Sequence, residues 1–363
     1  MIWILLCLLL MTSCTGDAQA TDTSNTTNST NNNNTNTNTP PVNDPEQVKY
    51  YSNPVWKNSS CADPSVLKYG DYFYCYSTDN NCNVLRSADL VNWEKVGTAF
   101  TQQTRPAWIL KEDGTKPYIW APCCIYRKGV FYLYYSVSAG IGLNKSGFGV
   151  ATSNKPEGPF TDHGPIVQVG DGCGTNGNID AFFWEENGTP YIIWGSYSGI
   201  FISELTPDGL SLKYPQSPTG ITQIAGTHWE GPYIYKKNGY YYFFGSNGTC
   251  CKGEESTYNV QVARSTSLMG PYTNKKGIDL MEAGGSYKML VPNDYAVGAG
   301  HNAEIMVDDA GDEWFIYHSY IRGHADEYKR VLFIDKITWD EYQWPVLNDG
   351  KGPSSTAKAP VFR

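Results

Sequence analysis

The chain has 363 residues and a formal net charge of −9, with 27 Lys and Arg against 36 Asp and Glu. Nucleic-acid binding depends on positive charge that neutralises phosphates, so this balance argues against a nucleic-acid partner. Aromatic residues make up 14% of the chain, which fits either a large β-sheet core or a surface on which sugar rings stack. Composition alone leaves both interpretations open.

The first residues, MIWILLCLLLMTSC, form an apolar run that ends in a small-residue step before Cys14. This pattern predicts a lipoprotein-type signal over residues 1–13, with Cys14 as the lipidated first residue of the mature chain. The protein is then expected to be exported and lipid-anchored to a bacterial membrane, at the outer membrane or facing the periplasm. Because no Lys or Arg precedes the run and Met11 stands three residues before Cys14, an ordinary cleaved signal and secretion are the alternative. The run is shorter than the roughly 20 residues that a membrane-spanning helix needs.

Residues 14–48 contain the stretch TDTSNTTNSTNNNNTNTNTPPVNDPEQ, which is rich in Asn and Thr and almost free of apolar side chains. Such a segment cannot bury enough apolar surface to offset its chain entropy. It is therefore predicted to be a disordered tether, and residues 49–363 are predicted to form the folded, functional domain.

One pattern recurs five times in this domain: a turn with glycine, then an aromatic-rich strand that ends in a small or polar residue. The copies are KYGDYFYCYST, RKGVFYLYYSV, ENGTPYIIWGS, KKNGYYYFFGS and DAGDEWFIYHS, with turn glycines Gly70, Gly129, Gly188, Gly239 and Gly311. A shorter apolar segment precedes each copy, a further strand follows it, and no segment keeps helical periodicity. The repeat predicts an all-β fold, a five-bladed β-propeller with its active site in the central channel. A β-sandwich with accidental regularity is the alternative.

The first strand of every propeller blade lines the central channel, so residues just before each aromatic hairpin should converge there. Aligning the repeats puts four polar side chains at this position: Asp63, Asp180, Glu230 and His301, with WAP (residues 120–122) in the second repeat. Each alone has an ordinary explanation, such as a turn cap or a core histidine. Together they predict a functional site, because buried like charges are costly unless a function retains them.

The stretches CADPSV, NIDAFF and WEGPYIYKKNGYYYFF, in this order on a five-fold repeat, resemble glycoside hydrolase family 43. The resemblance covers almost all of residues 50–347. It narrows toward the arabinan-active members through YYSVSAGIGLNKSGFGVATS, PYIIWGSYSGIFISEL, GTCCKGEESTYNVQVARSTSLMGPYTNKKG, GAGHNAEI and WFIYHSY. It implies a five-bladed propeller that cleaves arabinose- or xylose-containing plant polysaccharides.

The resemblance also implies a role for each residue of the predicted site. Asp63 corresponds to the general base, Glu230 to the general acid, and Asp180 to the residue that raises the pKa of the acid and orients it. His301 resembles a histidine that helps hold a cation, often calcium, largely through water; no organic cofactor is implied. An inverting hydrolase needs one carboxylic acid and one carboxylate, roughly 6.5–9.5 Å apart, to protonate the leaving oxygen and to activate water.

Four further residues are candidates for substrate contact. Trp120, Tyr197 and Trp229 carry ring faces that can stack on the C–H faces of a sugar, and Arg322 can contact a hydroxyl group. Taken singly, the aromatic residues equally fit core packing, and Arg322 equally fits a surface charge.

The ten cysteines include Cys7 in the predicted leader and Cys14 at the anchor, which leaves eight in the domain. Two vicinal pairs stand out, Cys123-Cys124 and Cys250-Cys251, and the second lies in the loop that the resemblance assigns to the arabinan-active subgroup. An exported chain permits disulfides, and no pair has the two-residue gap of a zinc knuckle. The spacing leaves the pairing open.

The first hypothesis is a monomeric, inverting hydrolase of α-L-arabinofuranosyl linkages in arabinan or arabinoxylan, similar to an endo-1,5-arabinanase. An exo-acting arabinofuranosidase or a β-xylosidase of the same fold is the alternative, and a non-catalytic glycan-binding lipoprotein is the alternative from another class. Two departures from the family pattern leave endo and exo action open. Ala62 precedes the base where many endo-acting relatives have His, and Cys123-Cys124 follow WAP where a polar residue is usual.

Overall fold

The computed structural model describes residues 48–109, 117–137, 146–168, 177–215 and 218–363. The predicted leader, the Cys14 anchor and all of the predicted tether except its last residue lie outside these ranges. Residues 48–363 form one structural unit. Its helical segments within the described ranges are the short 3₁₀ helices Ala107–Ile109, Pro218–Gly220, Gly253–Glu255 and Asn348–Gly350, and the helix α1 (Ala325–Tyr328). None of the helices in these ranges is long and apolar enough to cross a bilayer.

Five antiparallel sheets follow the short strand β1 (Tyr50–Ser52) along the chain and form the five blades of a β-propeller, as predicted. Blade one contains β2 (Ala62–Tyr69), β3 (Tyr72–Thr78), β4 (Asn83–Ser87) and β5 (Trp93–Thr98). Blade two contains β6 (Trp120–Arg127), β7 (Val130–Val137), β8 (Gly147–Ser153) and β9 (Thr161–Gln168). Blade three contains β10 (Phe182–Glu186), β11 (Thr189–Trp194), β12 (Ile200–Glu204) and β13 (Ile221–Ala225).

Blade four contains β14 (Glu230–Lys237), β15 (Tyr240–Asn247), β16 (Asn259–Ser265) and β17 (Tyr287–Leu290). Blade five contains β18 (Ala296–Asn302), β19 (Met306–Val307), β20 (Glu313–Ile321), β21 (Val331–Trp339) and β22 (Pro345–Leu347). Its inner strand is divided, because β18 and β19 both pair with β20 and are separated by three residues. The chain ends with β23 (Thr356–Lys358), which pairs with β1.

The glycines of the repeated turn adopt the conformation that the turn requires. All five have positive φ, between +59° and +86°, a region that side-chain-bearing residues rarely occupy. In blades two, three and four the turn has two residues, both with positive φ: Lys128-Gly129, Asn187-Gly188 and Asn238-Gly239. This is the type I′ geometry whose twist matches that of the flanking strands. The predicted turns are confirmed.

The aromatic strands supply the contacts between blades. Five clusters of buried apolar residues each span one pair of neighbouring blades, including the pair formed by blades five and one. Tyr76 and Phe131 belong to the cluster between blades one and two, and Val66 and Trp314 to the one that closes the ring. Because a buried large apolar side chain contributes about 1.5–3 kcal/mol, these clusters hold the blades in register around the channel.

The two vicinal cysteine pairs have different structures. Cys123 and Cys124 are consecutive residues of β6, so their side chains point to opposite faces and join the clusters with blades three and one, respectively. Both are buried free thiols. Cys250 and Cys251 form a vicinal disulfide in the loop between β15 and β16. Cys173 lies outside the described residues.

Candidate active site

Each blade has one residue in the left-handed region of φ at the place where its inner strand meets the channel. These residues are Asp63 (+50°), Ala121 (+34°), Asp180 (+62°), Gly231 (+57°) and His301 (+41°). In blades one, two, four and five the strand pairing shifts register beside this residue, as at a β-bulge. Non-glycine residues with positive φ are uncommon and concentrate at functional sites.

This geometry corrects the alignment of the repeats at Glu230. The left-handed residue of blade four is Gly231, and Glu230 lies one position earlier. Glu230 pairs with Ser246 across the sheet as Trp120 pairs with Ser136, so Glu230 is equivalent to Trp120. The sequence alignment of the repeats matched residues by their polar character. It placed Glu230 one residue too far along, because a bulge changes the backbone and leaves the polarity pattern unchanged.

The left-handed residues are tied to the preceding blade by one recurring hydrogen bond. In four blades their backbone N–H donates to a side chain at the end of the preceding blade's second strand: Ala121 to Thr78 Oγ1 (2.9 Å), Asp180 to Ser136 Oγ (2.9 Å), His301 to Ser246 Oγ (2.7 Å) and Asp63 to His318 Nδ1 (3.0 Å). The small or polar residue that ends each aromatic strand therefore fixes the channel mouth of the next blade.

Blade four is the exception to this pattern. Blade three has Gly195 after β11, which offers no side chain, and the N–H of Gly231 donates instead to Asp180 Oδ2 at 3.2 Å. The next residue, Ser196, donates its hydroxyl to Glu230 Oε2 at 2.7 Å. In blade four, therefore, the Asp180 carboxylate binds the backbone of Gly231, and the Ser196 hydroxyl binds the side chain of Glu230.

Asp63 is a carboxylate that accepts hydrogen bonds from a guanidinium group and a hydroxyl group, with two imidazole rings nearby. Arg330 Nη1 donates to its Oδ1 at 2.9 Å, the Thr78 hydroxyl donates to its Oδ2 at 2.6 Å, and the Nδ1 atoms of His301 and His318 lie 3.5 Å from Oδ1. Burial alone would raise the pKa of Asp63, but the Arg330 charge, with the Thr78 hydrogen bond, holds it well below its ordinary value. The ionised form of Asp63 is therefore stabilised.

Asp180 and Glu230 form the opposite kind of environment. Asp180 is 6% exposed, and its pKa is raised well above the ordinary value by burial, then by the Glu230 charge and the Asp63 charge. Glu230 accepts one hydrogen bond on each oxygen, from Ser196 to Oε2 and from the Tyr258 hydroxyl to Oε1 at 2.6 Å. Because neighbouring carboxyl groups in a low dielectric disfavour a double negative charge, burial and the Glu230 charge favour the protonated form of Asp180, in contrast to Asp63.

The site therefore contains one carboxylate whose ionised form is stabilised, Asp63, and one buried carboxyl whose protonated form is favoured, Asp180, with Glu230 beside it. Titratable groups whose environments separate their pKa values in this way serve as base and acid in catalysis. Asp63 can accept a proton from water, and the Asp180–Glu230 pair can donate one.

The candidate sugar-contacting residues fall into different places. Tyr197 is 41% exposed, its hydroxyl donates to Gly248 O at 2.6 Å, and burial and the charges of Glu230 and Asp180 raise its pKa. Trp120 is half-buried at the channel mouth of blade two. Tyr197 therefore has exposed ring surface near Glu230 and Asp180.

Two other candidates do not line the site. Trp229 is 1% exposed, lies in the cluster between blades three and four, and donates to Gln261 Oε1 at 3.4 Å, so it has no face open to a sugar. Arg322 lies on the surface, where its Nε donates to Asn293 O and its Nη1 is 3.9 Å from Glu254 Oε2. The arginine that contacts a catalytic carboxylate is Arg330.

Below the carboxylates, inner-strand residues from all five blades enclose a cavity of about 20 Å³, enough for one water molecule. Glu304 lines this cavity and accepts from the Ser65 hydroxyl (2.9 Å) and the Val66 N–H (2.5 Å); burial raises its pKa to about 7. Asn302 Oδ1 also lies here, buried and without a hydrogen-bond partner among the described residues.

The predicted cation near His301 can be tested against this geometry. Within the described ranges, no group of three or more His, Cys, Asp or Glu side chains is arranged to hold a metal ion directly. Asn302 Oδ1 and the His301 ring are the groups beside which such a cation is expected, and water would have to supply the other ligands. The described side chains do not fit a protein cage.

Sequence reasoning missed five residues that contact the three carboxylates: Thr78, Ser196, Tyr258, His318 and Arg330. The first two end or follow aromatic strands, where the repeat already placed a small or polar residue, so the signal was present. Tyr258 and His318 lie inside ESTYNV and WFIYHSY, stretches that carried the resemblance without a role for either residue. No pattern marks Arg330.

Comparison with known proteins places this site in context. The family model "Glycosyl hydrolases family 43" matches residues 51–345. The extracellular exo-α-(1→5)-L-arabinofuranosidase ArbA of Cellvibrio japonicus is 33% identical over 307 residues, which cover 79% of this chain and 86% of that protein. The extracellular endo-α-(1→5)-L-arabinanase 1 of Bacillus subtilis is 32% identical and covers 79% and 88%, respectively. The structure of Cellvibrio cellulosa α-L-arabinanase complexed with arabinohexaose superposes with a TM-score of 0.70 at 30% identity, covering 80% of this chain and 96% of that chain.

Proposed function

The chain belongs to the glycosyl hydrolases of family 43, and on this premise we propose that it hydrolyses α-L-arabinofuranosyl linkages of arabinan or arabino-oligosaccharides with inversion. The observation that carries the proposal is the contrast at the channel mouth between Asp63, which is bonded to Arg330 and Thr78, and the buried Asp180 beside Glu230. The sugar is supported by relatives that are named for arabinan and by the neighbour that binds arabinohexaose.

In the proposed reaction, Glu230 gives its proton to the glycosidic oxygen as the bond from the anomeric carbon to that oxygen breaks. The electron pair of the bond stays on the leaving oxygen. Water attacks the anomeric carbon from the opposite face and passes a proton to Asp63. Because Arg330 and Thr78 hold both oxygens of Asp63, its carboxylate plane is set before substrate binds.

Asp180 acts on the acid in two ways in this mechanism. Burial and the charge of Glu230 raise the pKa of Asp180, so the two carboxyl groups disfavour a double negative charge. Its Oδ2 also accepts the N–H of Gly231, the residue that follows the acid, and so fixes the backbone that carries Glu230. Both effects support the modulating role that the resemblance implies for Asp180.

Trp120 and Tyr197 are the proposed walls of the sugar site. Tyr197 is held by Gly248 O while a large part of its ring stays exposed, and Trp120 occupies the position in blade two that Glu230 occupies in blade four. Ring faces in such positions can stack on furanose C–H groups.

The proposal is tested with Glu230→Gln and linear α-1,5-arabinan. We expect the variant to lose at least about 100-fold in kcat, because general acid catalysis contributes about 10²–10⁴-fold. Glu94→Gln is the matched control, since Glu94 is 61% exposed and pairs with Arg86 on the outer strands of blade one. Wild-type-like turnover by the Glu230 variant, with the same fold by circular dichroism, would refute the assignment.

Product analysis separates the remaining alternatives. Oligosaccharide products from debranched arabinan indicate endo action, whereas arabinose alone indicates exo action; relatives of both kinds are similar to this chain. Release of xylose from xylo-oligosaccharides, without hydrolysis of arabinan, identifies a β-xylosidase. Tight oligosaccharide binding with no turnover identifies a non-catalytic capture protein. Proton NMR of the first product, before mutarotation, establishes whether the configuration is inverted.

We also propose a cation beside His301, held largely through water, with calcium as the first candidate. The free Asn302 Oδ1 and the His301 ring support it, and such an ion would supply positive charge near the channel. Elemental mass spectrometry of protein purified without chelator should find close to one calcium per chain; a metal-free preparation with full activity would contradict the proposal.

Export with a lipid anchor at Cys14 is the proposed localisation. The apolar leader, the Asn/Thr-rich tether and the extracellular relatives support export, and the Cys250–Cys251 disulfide suits an oxidising compartment. Mass spectrometry of the mature N-terminus should find a diacylglycerol on Cys14, and Cys14→Ala should release the protein from the membrane fraction. Wild-type protein in the culture medium with an unmodified N-terminus would favour the secreted alternative.

A further inference from the structure

Tyr258, which immediately precedes β16, touches the general acid of the proposed reaction. Its hydroxyl donates to Glu230 Oε1 at 2.6 Å, and the side chain is 1% exposed. Burial, together with the charge of Glu230, raises the pKa of Tyr258 well above its ordinary value, so the hydroxyl keeps its proton and remains a donor. Ser196 donates to the other oxygen. Glu230 is thus held at both oxygens by neutral donors.

The Tyr258 ring is fixed between two elements of blade five. It stacks on the His318 ring with centroids 5.8 Å apart and planes 11° from parallel. On another side it fills the space above Gly300, where a Cβ would lie 2.2 Å from Cδ1 of the tyrosine. His318 is fully buried and its Nδ1 accepts the N–H of Asp63. One pair of stacked rings therefore contacts the acid at one end and the backbone of the base at the other.

The loop before Tyr258 restrains it further. Residues 249 and 257 close the neck of this loop, because the Thr257 N–H donates to Thr249 O and the Thr249 N–H donates to the Thr257 hydroxyl. The vicinal disulfide lies inside the neck. Glu254 Oε1 accepts the N–H of Gly323 at 2.6 Å, which ties the loop to blade five. Tyr258 thus has restraints from its ring contacts and from its own backbone.

We propose that Tyr258 is a positioning residue for the proton-donating step, with a function that resides in its hydroxyl. The inference rests on the proposed function, since it concerns the same acid. As the proton moves from Glu230 to the glycosidic oxygen, negative charge forms on the Glu230 carboxylate. The Tyr258 and Ser196 hydroxyls already point at its two oxygens, so they stabilise this charge without reorganisation.

Two substrates with different leaving groups separate this role from a structural one. An oligosaccharide leaves as an alcohol and needs the proton of Glu230, whereas a 2,4-dinitrophenyl glycoside of the same sugar leaves as a stable phenolate and needs none. A residue that serves the acid should affect the first substrate and spare the second. A residue that only supports the fold should affect both equally.

The experiment compares wild type, Tyr258→Phe and the control Tyr272→Phe on both substrates. Tyr272 is in the same blade, fully buried, and its hydroxyl donates to Leu268 O at 2.9 Å, so the control loses a buried hydrogen bond away from the acid. We expect Tyr258→Phe to lower kcat on the oligosaccharide by about 10- to 100-fold. KM, and kcat on the dinitrophenyl glycoside, should stay within about 3-fold of wild type.

Equal losses on the two substrates, or an unchanged kcat on the oligosaccharide, would overturn the inference. The substrate pair is chosen from α-L-arabinofuranosyl and β-D-xylosyl glycosides according to what the wild type cleaves. Preference for the xylosyl pair would refute the proposed sugar and still test Tyr258. Glu230→Gln, measured alongside, should show the same leaving-group dependence with a larger loss; its absence would refute the acid assignment itself.

Discussion

Replacing Asp180 with asparagine should stabilise the protein while it removes activity. The folded state raises the pKa of this carboxyl through burial and the charges of Glu230 and Asp63. Above the pKa of an unfolded Asp, about 3.9, Asp180 loses its proton in the unfolded chain at no cost. In the folded protein it must either keep that proton or carry a buried negative charge. Folding therefore carries a cost at neutral pH that an amide does not have.

The substitution suits the local geometry. Asparagine is nearly isosteric with aspartate, and both residues tolerate the left-handed φ of +62° found at this position. The amide oxygen can still accept the N–H of Gly231. We expect a gain of about 0.5–2 kcal/mol at pH 7, the range of single stabilising substitutions, and a loss of at least about 100-fold in kcat.

The pH dependence supplies the sharp test. The stability gap between Asp180→Asn and wild type should be smallest near pH 4, where an unfolded Asp is about half protonated, and should grow as pH rises. The assay is urea unfolding followed by circular dichroism between pH 4 and pH 8. A variant that is less stable than wild type at pH 7, or a gap that does not change with pH, would refute the reasoning.

Asp308→Asn is the matched control with the opposite sign. Asp308 is 5% exposed and accepts three backbone N–H groups and an indole N–H, which hold its pKa below the ordinary value although burial alone would raise it. Its contribution to stability is present above the pKa of an unfolded Asp and is lost as pH falls through the folded pKa. The control should therefore be less stable than wild type at pH 7, and its deficit should shrink in acid.

Three further outcomes are expected. Arg330→Met should raise the pKa of Asp63, so the acidic limb of the kcat/KM–pH profile should move to higher pH; an unmoved limb would contradict the role of this arginine. The same variant should lower the free energy of unfolding in urea by about 3–5 kcal/mol, because it breaks a buried ion pair. Gly231→Ala should cost about 1–3 kcal/mol, because the residue has φ +57° and its Cβ would lie 3.0 Å from the His301 ring; thermal unfolding equal to wild type would count against this account. Chelation by EDTA should lower the melting temperature, with recovery on adding calcium, if the cation near His301 is present; an unchanged melting curve would remove that proposal.

The fold was readable from the sequence because its determinants are short-range. The glycines at the five turns need positive φ, and the aromatic strands alternate with them at regular spacing, so both signals lie within a few residues of each other. The three carboxylates were readable for a similar reason, since Asp63, Asp180 and Glu230 each stand beside such a hairpin in the repeat. Only the offset of Glu230 by one residue escaped, because a bulge changes the backbone and leaves the polarity pattern intact.

The environment of the carboxylates is a property of neighbouring blades. Arg330 reaches Asp63 from 267 positions along the chain, and the Tyr258–His318 stack joins blades four and five. Trp229 also shows that position along the chain does not fix the environment of a side chain. It precedes the acid, which suggested a sugar contact, but its ring is buried. The sequence by itself determined the repeat, the turns and the identity of the acidic residues. The tertiary structure decided the environment of each carboxyl, bonded to Arg330 at Asp63 and buried beside Glu230 at Asp180, because burial and distant charges set that difference and no local pattern encodes them.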